Sequence, residues 1–571
     1  MREALRFATK APTTTEIDAL FTKALRRVQD ARLIITSTDF PEDTHRNSSI
    51  IPLPYKATNR LTFGVTQQAQ DADLVLRLPL EDKDGYISFE TGITCQIIYH
   101  PGKDDCLLVN HAERQLRLTN FSSSPALCVS IGEKKSHFLQ PGMRRISIDG
   151  DNKDSGEYHL AEFWLRERQF DISIRTANSP SRTKRGIDDG AEENVNKRQK
   201  RNNDLTGTTL IRPLNKTSIE PRPTAIGTES TDARDLALTS SVQKIPNKTI
   251  VSLLDLANGE EADIQALQDR PDSSQSVSAA KGPASYQLRR VKQIAATASA
   301  SVFHCIRSSE LVATKVLRYD RESPLVSSSL WKTEKNTLEK LKHRNVVALK
   351  AFDGRMLAIY LEPLPESLYR GVRAKYSQSA IFQILLDISS ALVYLKTIPI
   401  VHNDIKPRNI TYSSQRGAVL IDFGLATSAS KWNAGGTLWY LPPDLLTSNS
   451  RGSPGDIWAL GITMLYLLGK IDYPEEKKKK TTCPEEDSER RDWPILNLLH
   501  NDENQIKMKT WLQYIFSVRA KLSPVYVGTG ISKLESIVFH MLNANKELRF
   551  NAEDISSALE SSMAAPLLLK V

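Results

Sequence analysis

Val401-His402-Asn403-Asp404-Ile405-Lys406-Pro407-Arg408-Asn409, followed by Ile421-Asp422-Phe423-Gly424, decides how this chain is read. Two carboxylates, an asparagine and a lysine fall within about twenty residues of one another. Such a set can hold metal-bound phosphates and orient a hydroxyl nucleophile.

The segments on either side fit the same purpose. Val312-Ala313-Thr314-Lys315-Val316 reads as a strand bearing a lysine. Further on, Glu334 shares a predicted helix face with Leu330, Leu338 and Leu341, because residues three and four apart lie above one another. An inward carboxylate needs a partner, and Lys315 is the natural one. Leu341-Lys342-His343-Arg344-Asn345-Val346-Val347 and Leu361-Glu362-Pro363-Leu364 follow. Ile381, Leu385, Ile388, Leu392 and Leu395 then form a helical core stripe. Beyond the central stretch come Gly436-Thr437-Leu438-Trp439-Tyr440-Leu441-Pro442-Pro443-Asp444, Asp456-Ile457-Trp458-Ala459-Leu460-Gly461 and Arg549.

In this order the segments resemble the eukaryotic protein kinases, and the resemblance covers nearly all of residues 286–561. It implies an α+β, bilobal protein-kinase fold that uses ATP and Mg2+ as cofactors. On that resemblance Lys315 contacts the α- and β-phosphates and pairs with Glu334. Ile294 and Val302 border the nucleotide, and the backbone around Glu362 and Leu364 holds the adenine. Asp404 orients the acceptor hydroxyl, Lys406 neutralises charge on the transferring group, and Asn409 and Asp422 hold the metal. Gly436 to Asp444 resembles the platform for a protein substrate, Asp456 to Gly461 the start of a buried anchoring helix, and Arg549 the partner of Asp444. Lys406 with Pro407 implies serine or threonine, not tyrosine, as the acceptor.

Three departures stand out. In Ile294-Ala295-Ala296-Thr297-Ala298-Ser299-Ala300-Ser301-Val302, the family's three glycines are replaced by Ala295, Thr297 and Ala300. A Cβ there loosens backbone contact with phosphate. Asn403 stands where many of these kinases carry an arginine that pairs with a phosphorylated activation loop, which argues against that switch, although Thr427, Ser428 and Ser430 are available. Pro443-Asp444 replaces Pro-Glu.

Residues 1–175 read as mostly β, with a helix expected over about 15–31. Leu74 to Leu78, Cys95 to Tyr99 and Arg145 to Ile148 alternate as strands do, separated by the turns Asp82 to Gly85, Pro101 to Lys103 and Gln140 to Gly142. A small β-sandwich-like domain is expected. Leu116 to Asp149 weakly resembles the second half of a forkhead-associated domain, which implies a phosphoprotein partner, yet that family's phosphate-gripping residues are not recognisable here. The alternative is a β-domain without phosphopeptide binding.

Residues 176–285 turn to Ser, Thr, Asn, Pro and charge, and read as a disordered linker, with Ile250 to Leu267 apolar enough for a docking helix as the alternative. Within it, Lys184-Arg185 and Lys197-Arg198-Gln199-Lys200-Arg201 look like a bipartite signal for a nuclear import receptor, against an ordinary solvated charge run such as Lys477 to Lys480. Residues 562–571 read as a tail, and Pro474 to Arg491 as a charged loop.

The 571-residue length suits two or three domains, and the net charge of +9 gives no call for direct nucleic-acid binding. Cys95, Cys106, Cys128, Cys305 and Cys483 show no paired spacing, so neither a disulfide framework nor a zinc site is expected. No membrane span and no signal peptide are expected. The sequence therefore predicts a nuclear or cytoplasmic serine/threonine protein kinase, with a pseudokinase scaffold or phosphopeptide-binding adaptor as the alternative.

Overall fold

The computed structural model describes residues 14–37, 50–57, 60–81, 87–121, 126–149, 157–175, 252–266, 285–319, 324–369, 376–429, 435–448, 452–475, 501–523 and 532–564. The two basic clusters, Ser430, the Asp82 to Gly85 turn, Lys477 to Lys480 and residues 565–571 lie outside them.

The N-terminal part opens with α1 (Thr14–Leu25), shorter than expected because Ala31 already begins a strand. Eleven strands follow: β1 (Ala31–Ser37), β2 (Ile50–Ala57), β3 (Arg60–Thr66), β4 (Asp73–Glu81), β5 (Ile87–Tyr99), β6 (Cys106–Asn110), β7 (Leu116–Asn120), β8 (Leu127–Ile131), β9 (Ser136–Leu139), β10 (Gly142–Asp149) and β11 (Glu157–Leu165). They form a seven-stranded sheet in the order β2-β3-β1-β11-β10-β7-β8 and a four-stranded sheet in the order β4-β5-β6-β9. Alternation decides what faces inward. Leu74, Leu76, Ile97 and Leu108 from the small sheet share one core with Ile35, Phe63, Ile146 and Phe163 from the large one.

A second body begins with β12 (Phe170–Arg175), separated from the end of β11 by only four residues. It continues with β13 (Glu261–Ala266), β14 (Tyr286–Ala296), β15 (Ala300–Arg307), β16 (Glu310–Leu317), α2 (Pro324–Leu338), β17 (Leu349–Asp353) and β18 (Ala358–Leu361). Their strands make one sheet ordered β12-β13-β14-β15-β16-β18-β17. Two of these strands depart from the expected boundaries. β12 lies inside the expected β-domain, and β13 inside the stretch read as linker, yet both extend the kinase-like sheet. The docking-helix alternative fails too. Ser252 caps a single 3-10 turn, Leu253–Asp255, through a reciprocal box with Asp255, and the chain then enters β13. The burial of Leu253, Leu256, Ala262 and Ile264 with Leu288 and Phe303 supplies the driving force.

The third part is mostly helical: α3 (Gln378–Thr397), the short strands β19 (Ile400–Val401), β20 (Ile410–Ser413), β21 (Gly417–Leu420) and β22 (Thr427–Ser428), then α4 (Asp444–Ser448), α5 (Ser453–Leu467), α6 (Asp502–Ala520), α7 (Lys533–Met541) and α8 (Ala552–Ala564). The stripe on α3 is where expected, with Ile381, Leu385, Ile388, Leu392 and Leu395 all buried. By length and composition α3 could cross a membrane, which the sequence reading overlooked, but half of its apolar window is buried inside the protein. α5 is apolar all round and buried from Gly455 to Leu467, so the charged Asp456 within it demands partners.

Candidate active site

The site lies between the sheet and the helical part. β16 carries Lys315, and α2 carries Glu334. Lys315 Nζ donates to Glu334 Oε1 and Oε2 at 2.9 and 2.7 Å, and to Asp422 Oδ1 at 2.7 Å. The inward carboxylate of the sequence reading therefore has its predicted cation. The helix ends at Leu338, so Leu341 packs beyond it, while Trp331 is the fully buried anchor. Burial alone would lower the Lys315 pKa, but Asp422 and Glu334 hold it well above the usual lysine range. Burial would raise Asp422, but Lys315 above all, with Lys406 and His402, holds it well below the carboxylate range. Both groups stay charged at neutral pH.

Asp456 at the start of α5 shapes the central loop by accepting the backbone amides of His402 at 2.8 Å and Asn403 at 2.9 Å. His402 lies across from the Ile421 carbonyl at 3.1 Å, and Ile421 N donates to Asn409 O, which brings the second motif against the first. Asn403 and Asp422 both adopt left-handed backbone, φ 67° and 66°. Such strain at two adjoining loops is held by the surrounding bonds.

Asp404 is the hub. Its Oδ2 accepts Asn409 Nδ2 and Lys406 Nζ, each at 2.9 Å, and its Oδ1 accepts Thr437 Oγ1 at 2.7 Å. Lys406 also reaches Thr437 Oγ1 at 2.6 Å. Burial would lower the Lys406 pKa, but Asp404 and other nearby carboxylates raise it. The sequence reading placed Thr437 only in the substrate platform and missed its bridge. A threonine directly after a glycine, just before the apolar Leu438 to Leu441 run, was the available signal.

Asn403 has a role that the sequence did not disclose. Its Nδ2 donates to Leu425 O at 3.1 Å and Thr427 Oγ1 at 2.9 Å, tying the loop to β22. A neutral amide thus holds the start of the segment after Asp422. Arg549 Nη1 meets Asp444 Oδ2 at 2.8 Å, with both side chains buried, so the shorter carboxylate does reach.

Ile294 and Val302 lie on the β14–β15 hairpin, with Ile294 exposed. The turn between these strands is closed on itself. Thr297 N donates to Ala300 O at 2.8 Å, and Ala300 N donates to Thr297 Oγ1 at 3.0 Å. Arg318 further holds the Thr297 carbonyl through Nε, at 3.0 Å. Two amides of the loop are therefore spent internally. At Glu362 the side chain accepts Ala348 N and Arg416, so it ties the end of β18 to the chain before β17 and to the turn before β21. Leu364 packs against the core.

The donor set suits a hard cation. Asn409 Nδ2 is committed to Asp404, which leaves the amide oxygen for a ligand, and Asp422 supplies carboxylate oxygen. Among the described residues no cluster of three His, Cys, Asp or Glu forms a metal cage, so phosphate oxygens would have to complete the shell.

Comparison with known proteins agrees with this geometry. The protein kinase domain model matches residues 288–559. Aurora/IPL1-related protein kinase 2 of Caenorhabditis elegans is 29% identical over 150 residues, which cover 25% of this chain and 49% of that protein. An Aurora kinase of Debaryomyces hansenii is 35% identical over 117 residues, 19% of this chain and 28% of that protein. Serine/threonine-protein kinase PLK4 of Aedes aegypti is 28% identical over 257 residues, 40% of this chain and 33% of that protein. The chain thus spans less than half the length of each of these relatives. With the motifs, the lysine–glutamate pair and the buried Arg549–Asp444 contact in place, residues 288–559 form a protein kinase domain.

Proposed function

We propose that the chain transfers the γ-phosphate of ATP to serine or threonine hydroxyls of proteins. The carrying observation is the joint geometry of Lys315, Glu334 and Asp422 on one side and Asp404, Lys406, Asn409 and Thr437 on the other. Magnesium-bound ATP would supply the electrophilic phosphoryl group. Lys315 would fix its phosphates, and Asn409 and Asp422 would offer oxygens to the metal. Asp404 would accept the hydrogen bond of the incoming hydroxyl and aim it for in-line attack, and Lys406 would offset charge on the group in transit. The test is incorporation of γ-phosphate into a generic basic protein and into the chain itself. Transfer to Ser or Thr that disappears in Asp404→Asn supports the enzyme.

The closed β14–β15 turn favours the second reading, a scaffold with weak nucleotide binding. Thr297→Gly separates the two. It removes the hydroxyl that occupies Ala300 N and frees the turn to approach phosphate, so the enzyme reading expects KM for Mg-ATP to fall about threefold. A scaffold would show no transfer in either form, with a Mg-ATP thermal shift that is small or absent.

Two finer readings also stand as proposals. Import through the two basic clusters predicts that replacing Lys197, Arg198, Lys200 and Arg201 with alanine leaves the protein cytoplasmic. A forkhead-associated role for the N-terminal part is supported by its two sheets around one core, and predicts binding of phosphothreonine peptides over their unphosphorylated forms.

A further inference from the structure

The outer face of the four-stranded N-terminal sheet carries an apolar patch. Alternation sends Ile97 and Leu108 into the domain's own core, so their neighbours Ile98, Leu107 and Val109 point the opposite way. All three are nonetheless buried, because Tyr319 and Leu325 of the kinase domain cover them. His100 stacks obliquely on Tyr319, with ring centroids 4.3 Å apart. The surface is built to be covered, and what covers it is the entrance to α2.

The polar contacts beside this patch converge on one residue. Asp73, at the start of β4, is 6% exposed. It accepts Ser328 Oγ of α2 at 3.2 Å, pairs with Lys332 of α2, and is steadied from its own sheet by Gln96. Ser328 and Lys332 are four apart and share one helix face. At 3.6 residues per turn Glu334 lies well round the helix from both. The N-terminal domain thus holds the outside of the helix whose inside carries the partner of Lys315.

Next to Asp73 the approach is closer still. Gly354 N donates to Ala69 O at 2.5 Å, and a Cβ at Gly354 would meet Ala72 N and Asp71 C, each at 2.9 Å. Ala72 belongs to the kinase core, in the same cluster as Trp331 and Leu338. Backbone of one domain is thus pressed against backbone of the other directly beneath α2.

We propose that the N-terminal β-domain is a built-in clamp on α2, with Asp73 as a positioning residue that keeps Glu334 in register with Lys315. The activity consequence rests on the phosphotransfer reading above; the clamp itself does not. The mechanism is direct. α2 has lost rotational freedom on its outer face, so the Lys315–Glu334 pair is held ready for phosphate before nucleotide arrives.

The test uses the full chain and two variants. Gly354→Ala places a methyl against the backbone of Asp71 and Ala72 and against the Trp331 ring of α2. Lys332→Ala removes the cation from Asp73 at a side chain that is already one-third exposed, without touching that ring. The expected result has two parts. Hydrogen exchange across residues 324–338 accelerates in both variants, while the β5–β6 strands stay protected. KM for Mg-ATP rises about tenfold in Gly354→Ala and less in Lys332→Ala, with little change in kcat. The double variant should do no more than Gly354→Ala alone, since both open one interface. A lowered melting temperature with unchanged 324–338 exchange and unchanged KM would reduce the contact to packing and overturn the proposal. If the parent transfers no phosphate, the exchange measurement still decides the clamp, and the failure then belongs to the phosphotransfer reading.

Discussion

Lys315→Met is expected to abolish phosphoryl transfer and to destabilise the protein, because it leaves Glu334 buried without its cation. Removing one member of a buried pair costs about 3–5 kcal/mol. The lower end applies here, since burial already lifts the Glu334 pKa and the acid can take up a proton. Methionine keeps the length and bulk, so the loss reports charge and not a cavity. Urea unfolding measures the stability, and initial rates measure transfer. Adding Glu334→Gln should recover part of the stability and none of the activity. Recovery of activity in the double variant would show that the pair has no part in holding nucleotide.

Asp404→Asn is expected to lower activity as well, but to leave the fold intact. Asparagine can still accept from Thr437 Oγ1, and the loop is fixed independently by the Asp456 bonds to His402 and Asn403. What is lost is the charge that pairs with Lys406 and that, on the proposed phosphotransfer, would orient the acceptor hydroxyl. Positioned acid–base groups contribute about a hundredfold to ten-thousandfold, so a fall in kcat of about a thousandfold is expected with KM for ATP nearly unchanged. Steady-state kinetics on the variant, beside its thermal melt, provides the check. Retained transfer would mean that another group orients the hydroxyl.

The grouping of the candidate site residues was legible because most of them are local in sequence. Asp404, Lys406 and Asn409 share one short loop, and the segment that opens with Asp456 was read from its resemblance to a buried anchoring helix. Glu334 was reached by helical spacing and a need for neutralisation, which is a physical constraint that one chain can express. Thr437 had only a local signal, a threonine after a glycine before an apolar run, and its partner Asp404 lies too far along the chain for spacing to name it. β13 escaped for a different reason. Glu261-Ala262-Asp263-Ile264-Gln265-Ala266 alternates over only a few residues in a polar neighbourhood, and it is a strand because β12 and β14 supply the partners on either side. The α2 contact was invisible for the same reason: nothing in Asp73 alone reveals a lysine that arrives from far along the chain.

The pairing of β12 with β13 changes what the long connection after Arg175 is for. Arg175 and Glu261 are register partners, so the chain leaves the sheet and re-enters it at the same place. Residues 176–260 therefore do not set the distance between two domains. A protease cut between 176 and 251 would yield two polypeptides with the N-terminal one still contributing a strand to the kinase lobe, much as a split reporter is reassembled from its halves. The piece that carries the catalytic loop would lack the edge strand β12, and would regain it only from the other piece. Truncations that begin after the basic clusters remove an edge strand of the sheet that carries Lys315.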